Sequence, residues 1–295
     1  MSRAGNKVRL SAWSLLVAFG FAEFAMAQQA PPISVKPIRG GVYYTEGGVG
    51  SDTGFIVGKD GVIVVDAKMT AASAKDMLAE IAKITPKPVT TVILTHSDGD
   101  HVNGLAGFPT GLTIVAQENC KKEMEESVNS KNPAPQDHLP TKTVGNKENL
   151  TINGVKLTLL HYAPAHTSGD LMVYLPEQKI VFTGDIIATS QEYTLIHMNK
   201  HGSSEGWIQT VKALLTLDAD AYVPGHGDLQ TKADVQQRLD KTVAKRDEIM
   251  KLIAQGKSLD QAKQDLGEVD KPPAAGQPQF PSFTNQIYEE MSKKN

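Results

Sequence analysis

Apolar residues along this chain fall into two recurring patterns. Short runs dominated by Val, Ile and Leu lie at 42–45, 54–57, 61–66, 89–95, 155–162, 171–175, 180–183 and 221–223, and each predicts a strand. In the third of these, Val62-Ile63-Val64-Val65 shows no polar alternation, which predicts a strand buried on both faces. Between the runs, Met77, Leu78, Ile81 and Ile84 mark one face of a helix over 70–84, and further helices are expected at 204–217 and 231–255. A short strand leading into a helix is expected around Glu118–Lys122, whereas residues 28–39, rich in Gln and Pro, read as extended chain. Beyond 256 the pattern breaks into a short helix at 258–266, a Pro- and Gly-rich stretch at 271–281, and a last helix at 283–291.

Strands and helices thus alternate in two similar halves, which predicts an α/β protein with sheets packed face to face and helices outside. One large domain over 36–256 accounts for this plan, with 257–295 as a helical appendage packing on it.

The N-terminus changes the picture. Arg3, Lys7 and Arg9 precede an apolar stretch from Leu10 to Ala22, followed by Ala25-Met26-Ala27. A basic start, a short apolar core and a small-x-small site are the marks of a cleavable signal peptide over 1–27, so the expected location is periplasmic or secreted. Nothing later approaches the roughly 20 apolar residues of a spanning helix, so no stable membrane anchor is expected. The formal charge is −3, and the leader holds three cations against Glu23, so the rest is more acidic still. A mildly acidic chain without a basic run is not expected to bind nucleic acid. Cys120 is the only cysteine, which excludes an intrachain disulfide, and with no histidine beside it in sequence it reads as a small buried apolar residue. Oligomeric state is not readable.

Candidate chemistry lies where strands end. After the 89–95 run the chain reads Thr95-His96-Ser97-Asp98-Gly99-Asp100-His101, which is four possible metal donors in six residues. Imidazoles and carboxylates crowded so closely are best reconciled by a cation. Three more polar residues sit in Gly-containing turns at strand ends: His166 in Ala165-His166-Thr167-Ser168-Gly169, Asp185 in Thr183-Gly184-Asp185, and His226 in Gly225-His226-Gly227.

In order and context this set resembles the metallo-β-lactamase superfamily, whose pattern is His-x-His-x-Asp-His, a further His, a bridging carboxylate or Cys, and a Gly-His-Gly turn. The resemblance covers about 36–256 and includes the strand pair Gly54 to Asp66. It implies a four-layer αββα sandwich with the site at one edge, and two divalent metal ions: zinc first, with iron or manganese as alternatives. It further implies that His96, Asp98 and His166 hold one ion, that Asp100, His101 and His226 hold the other, and that Asp185 bridges them. The activity implied is hydrolysis, since such ions lower the pKa of a bound water from about 15.7 towards 7. Asp100 is then the candidate catalytic residue, able to hold the attacking water or take its proton. Asp66 is either a residue that orients a histidine or a structural cap.

The substrate expected is a small molecule: an ester, thioester, lactone, lactam or phosphoester. β-Lactamases of this fold usually carry Cys or Ser where this chain has Asp185, which moves the expectation towards the other branches. Asp98 departs from the pattern, standing where the motif has His. A carboxylate there is harder and more anionic than imidazole, which shifts preference towards iron or manganese. It resembles the di-iron branch, which works with a flavin-bearing domain for which the tail after 256 is short. A di-iron oxidoreductase and a metal-binding protein without turnover are therefore the alternatives. On sequence alone, Asp98→His is expected to tighten zinc binding at the first site. Substrate contacts are expected from the polar stretch after Asp185, at Tyr193, Asn199 and Lys200, with His197 and His201 as spare imidazoles.

Overall fold

The computed structural model describes residues 30–269 and 280–293. The leader expected over 1–27 and most of the Pro- and Gly-rich stretch lie outside the described residues.

Seven strands form the first sheet in chain order: β1 (Ser34–Arg39), β2 (Val42–Glu46), β3 (Thr53–Val57), β4 (Val62–Val65), β5 (Val89–Ile93), β6 (Thr113–Gln117) and β7 (Lys142–Val144). Pairing is antiparallel from β1 to β4 and parallel from β4 to β7. The second sheet holds β8 (Lys147–Ile152), β9 (Val155–Leu160), β10 (Met172–Leu175), β11 (Ile180–Ala188) and β12 (Ala221–His226) in the order β12-β11-β10-β9-β8. Only β11 and β12 pair parallel there. Parallel neighbours need crossovers, and helices supply them. α1 (Ala71–Ile84) links β4 to β5, the one-turn α2 (Gly99–Val102) lies between β5 and β6, α3 (Glu118–Glu126) follows β6, and α4 (Ser204–Leu214) links β11 to β12. α5 (Lys232–Ala254), α6 (Leu259–Asp265) and α7 (Phe283–Ser292) complete the chain.

The runs without polar alternation are explained by burial on both faces. Ile63 and Val65 of β4 point between the sheets, where they meet Val173, Ile180 and Phe182, whereas Val62 and Val64 face Met77 and Ile81 of α1. In β11, Ile180 and Phe182 join the intersheet core, and Val181 faces outward to Trp207 of α4 and Leu239 of α5. Three apolar cores between four layers make the αββα sandwich.

Some expectations need correction. Residues 34–39, expected only as extended chain, pair with β2 as an edge strand. β7 and β8 carried too little apolar signal to be expected. β8 is also an edge, and Lys147, Asn149 and Thr151 alternate outward to solvent. The helix expected to reach 217 ends at Leu214. The polar stretch after the 89–95 run is not irregular chain, since α2 is followed directly by a 3₁₀ turn over 103–107. In the tail, Phe283 and Ile287 of α7 are buried with Trp207 and Tyr222 in the outer core of the second sheet. No helix among the described residues is long and apolar enough to cross a membrane.

Candidate metal centre

The fold delivers seven polar side chains to one edge of the sandwich. The chain leaves β5 at Ile93, and His96 follows three residues on. Asp98 stands at the N-terminus of α2, yet its carboxylate makes no bond to the helix and turns towards the histidines instead. Asp100 and His101 lie within α2, His166 comes from the loop between β9 and β10, and Asp185 and His226 come from β11 and β12. The centre therefore straddles both sheets. Donor atoms of His96, Asp98 and His166 lie within 4.8 Å of one another, as do those of Asp100, His101 and His226, and those of His96, His101 and Asp185. Gly225 makes this closeness possible, since a Cβ there would overlap Asp185 Oδ1.

Whether a metal fits is decided by where the nitrogens point. His101 Nδ1 donates to Asp66 Oδ2 at 2.8 Å, His166 Nδ1 donates to the Leu195 carbonyl, and His96 Nδ1 lies 3.0 Å from Thr95 Oγ1. Thr95 Oγ1 gives its own proton to Asp66, so it accepts from His96. Each bond places the proton on Nδ1 and leaves Nε2 as a lone pair facing inward. His96 Nε2, His101 Nε2 and Asp185 Oδ1 are buried without a hydrogen-bond partner. His166 Nε2 faces Asp98 Oδ2 at 3.1 Å, His101 Nε2 faces Asp185 Oδ1 at 3.3 Å, and His226 Nε2 faces Asp100 Oδ2 at 2.9 Å and Asp185 Oδ2 at 3.5 Å. Bonds of about 2.0–2.2 Å set tetrahedral donors roughly 3.3–3.6 Å apart. Lone pairs facing carboxylates at such spacings repel unless a cation lies between them, so the donor set fits two divalent ions.

The titration behaviour shows the same demand for positive charge among the carboxylates. Burial opposes charge on His101, His166, His226 and the three carboxylates, but these groups overcome it together. The carboxylates around His101 hold it well above the usual imidazole range, and Asp98 lifts His166 to about 9. Asp185 and Asp100 raise His226 as well. Against burial, the neighbouring histidines hold Asp98, Asp100 and Asp185 below the usual carboxylate range. Asp66 proves to be the orienting residue: in the left-handed region at φ 62° it accepts from the Thr95 backbone and hydroxyl and from His101.

The residues expected to meet substrate are placed differently from one another. Lys200 reaches the centre, with Nζ 2.6 Å from Asp98 Oδ1 and 2.8 Å from Ser97 Oγ. Asn199 is exposed beside it. Tyr193 stacks on Phe283 with ring centroids 5.0 Å apart, under the Lys241 ammonium, and packs against the outer core. His197 Nδ1 lies 3.0 Å from Asp98 Oδ2, outside hydrogen-bonding alignment, and His201 is exposed. Cys120 is buried and its thiol is pushed up by burial, which makes it unreactive. Sequence reasoning missed Asp52, whose backbone N–H donates to the Gly225 carbonyl at 2.7 Å and whose carboxylate accepts from the Gly227 N–H at 2.8 Å. Together they fix the turn that carries His226.

Comparison with known proteins agrees with this geometry. The family model described as "Metallo-beta-lactamase superfamily" matches residues 47–226, so the chain belongs to that superfamily. Among curated relatives it is 30% identical over 198 residues to the 2,4-dinitroanisole O-demethylase subunit alpha of Nocardioides sp. (strain JS1661), covering 66% of this chain and 58% of that protein. It is 23% identical to a linear primary-alkylsulfatase of Pseudomonas sp. (strain ATCC 19151), over 57% of this chain and 40% of that one. The chain therefore spans roughly half the length of these two relatives. A metallo-beta-lactamase from Pontibacter korlensis superposes with a TM-score of 0.61 at 22% identity, covering 71% of this chain and 98% of that structure, which supports the shared fold.

Proposed function

We propose that this chain is an exported, dinuclear metal-dependent hydrolase of small ester, thioester, lactone, lactam or phosphoester substrates. The observation that carries the reading is the set of inward-facing, unpartnered Nε2 atoms of His96 and His101 beside three carboxylates at ligand spacing. Two divalent ions in such a site lower the pKa of bound water towards neutrality and polarise the substrate oxygen. Thr95, Leu195 and Asp66 hold the three buried imidazoles in the tautomer that presents Nε2. Asp100, with a side chain 30% exposed at the mouth of the centre, is the candidate to hold the attacking water by a hydrogen bond or to take its proton. The named relatives, a demethylase subunit, an alkylsulfatase and β-lactamases, place sulfate esters among the substrates to try.

The test combines a metal assay with β-lactam, lactone, thioester, phosphodiester and sulfate-ester substrates. About two ions per chain and turnover of at least one class are expected. Zinc bound without turnover on any of them would leave a metal-binding protein, and iron with oxygen consumption would move the reading to the oxidoreductase branch. Protein recovered from its native host should begin at or near Gln28, and an intact Met1 on soluble cytoplasmic protein would remove export.

A further inference from the structure

Asp98 holds its two oxygens in different company. Oδ2 faces three imidazole nitrogens: His166 Nε2 at 3.1 Å, His96 Nε2 at 3.5 Å and His197 Nδ1 at 3.0 Å. Oδ1 turns the other way and accepts from the Lys200 ammonium at 2.6 Å. That ammonium is seated. It also donates to Ser97 Oγ at 2.8 Å, Ser97 Oγ donates in turn to Glu123, and Ser168 Oγ braces the other oxygen of Glu123 at 2.9 Å. The Lys200 backbone is tied down as well, because its carbonyl accepts from the Ser168 N–H at 2.8 Å, in the loop that carries His166. The Asp98 side chain is 11% exposed and that of Lys200 24%, so water screens this pair only partly.

We propose that Lys200 is a positioning residue for the first metal: it fixes Asp98 with only Oδ2 available as a ligand and cancels the charge that a carboxylate adds there. The inference rests on the dinuclear reading above. An aspartate neutralised by a lysine presents the same net charge as a single neutral imidazole, so the first ion remains a Lewis acid despite an anionic ligand. With Oδ1 engaged, the carboxylate cannot chelate through both oxygens, which keeps a coordination position open. Lys200 is then spent on the protein itself and is not the cation that meets substrate. The expectation for Asp98→His also reverses, because imidazole in that place would leave the ammonium unpaired beside a dication.

Zinc titration of metal-stripped protein tests the pair without reference to turnover. In the wild type two sites are expected. Lys200→Met should weaken the first at least about tenfold and leave the second within about twofold, the size expected when a group supporting a ligand is lost. Lys200→Arg should recover most of that loss. Asp98→His should also weaken the first site, and Asp98→His with Lys200→Met should bind more tightly than either single variant. Cobalt(II) in place of zinc should show a changed first-site absorption band in Lys200→Met alone, and an unchanged one in Lys200→Arg. Two sites of wild-type affinity in Lys200→Met, or additive effects in the double variant, would overturn the pairing while leaving the dinuclear reading intact. A wild type that binds no metal would overturn both.

Discussion

The two groups of metal donors differ in how the molecule holds them. His96 and His166 are almost wholly buried, each with 1% of the side chain exposed, and Asp98 is nearly so. In the other group His101 is sealed, but Asp100 and His226 stand about 30% exposed. The first group is closed from behind by residues 195–204, which α7 braces through Gln286 and Glu290. The second is tied to the β2–β3 hairpin through Ser51 and Asp52, and to β4 through Asp66. A buried group is positioned by packing and tolerates little loss, whereas an exposed one is positioned by a few hydrogen bonds and admits water and substrate. The geometry therefore makes the first group the fixed wall of the centre and the second its mouth.

Removing one histidine from each group gives the largest effect and the most direct break of this comparison. His226→Ala should lower zinc from about two ions per chain to about one, and turnover about a thousandfold, with little change in thermal stability. His96→Ala should lose its ion as well, and should also cost about 2 kcal/mol of stability, because truncation opens a cavity in a packed site. Metal analysis together with denaturant unfolding checks both. A His226 variant that unfolds as readily as the His96 variant would erase the distinction between wall and mouth.

How much of this could be read in the sequence follows from distance along the chain. Strands buried on both faces announce themselves through runs such as Val62–Val65, and seven donors in the polar, Gly-containing stretches after apolar runs mark the centre. β7 and β8 were silent, since an edge strand with one face in water needs few apolar residues. The supports were silent for another reason. Asp66 and His101 lie 35 positions apart, Asp98 and Lys200 102, and Ile196 and Gln286 90. No local pattern records such pairings. Lys200 is legible as a cation near the centre but not as the partner of Asp98, and nothing near Tyr193 in sequence announces the Phe283 ring that stacks on it.

Lys68 sharpens the comparison from the side of the mouth. It is fully buried, at φ 68°, and its ammonium donates to the carbonyls of Gly47 and Ser51, so it anchors the hairpin that holds Asp100 and His226. Burial lowers its pKa from the ordinary 10.5 to about 8, against the pull of Asp52 and Asp66. The unfolded chain keeps this proton up to about 10.5 and the folded chain releases it near 8, so stability should rise with pH across that window. The contribution amounts to about 3 kcal/mol between the two ends. Lys68→Met should flatten the rise by that amount while weakening the hairpin at every pH. Urea unfolding at several pH values from 8 to 10.5 measures it, and parallel curves for the two proteins would show that Lys68 does not titrate in this range.

The smallest effect belongs to α7, and it tests whether the wall depends on its brace. Gln286 is buried, accepts from the Ile196 N–H through Oε1, and donates to the Pro281 carbonyl at 2.8 Å through Nε2. Ile196 lies between Leu195, whose carbonyl fixes the His166 tautomer, and His197, which faces Asp98. Gln286→Met keeps the volume but leaves the Ile196 N–H buried and unpaired, which should cost about 1–2 kcal/mol. The strain falls on the segment that orients His166, so first-site zinc affinity should drop about threefold to tenfold, less than the roughly tenfold to hundredfold lost with a group bonded directly to a ligand. Gln286 and Glu290 hydrogen-bond to Ile196, Ser203 and Ser204, which lie outside the segments that carry the second site, so that site should keep its affinity within about twofold. Competition with a zinc-chelating dye, read beside urea unfolding, separates the two consequences. Stability lost with both affinities unchanged would make α7 a packing element only, and equal weakening of both sites would mean that wall and mouth are one rigid unit.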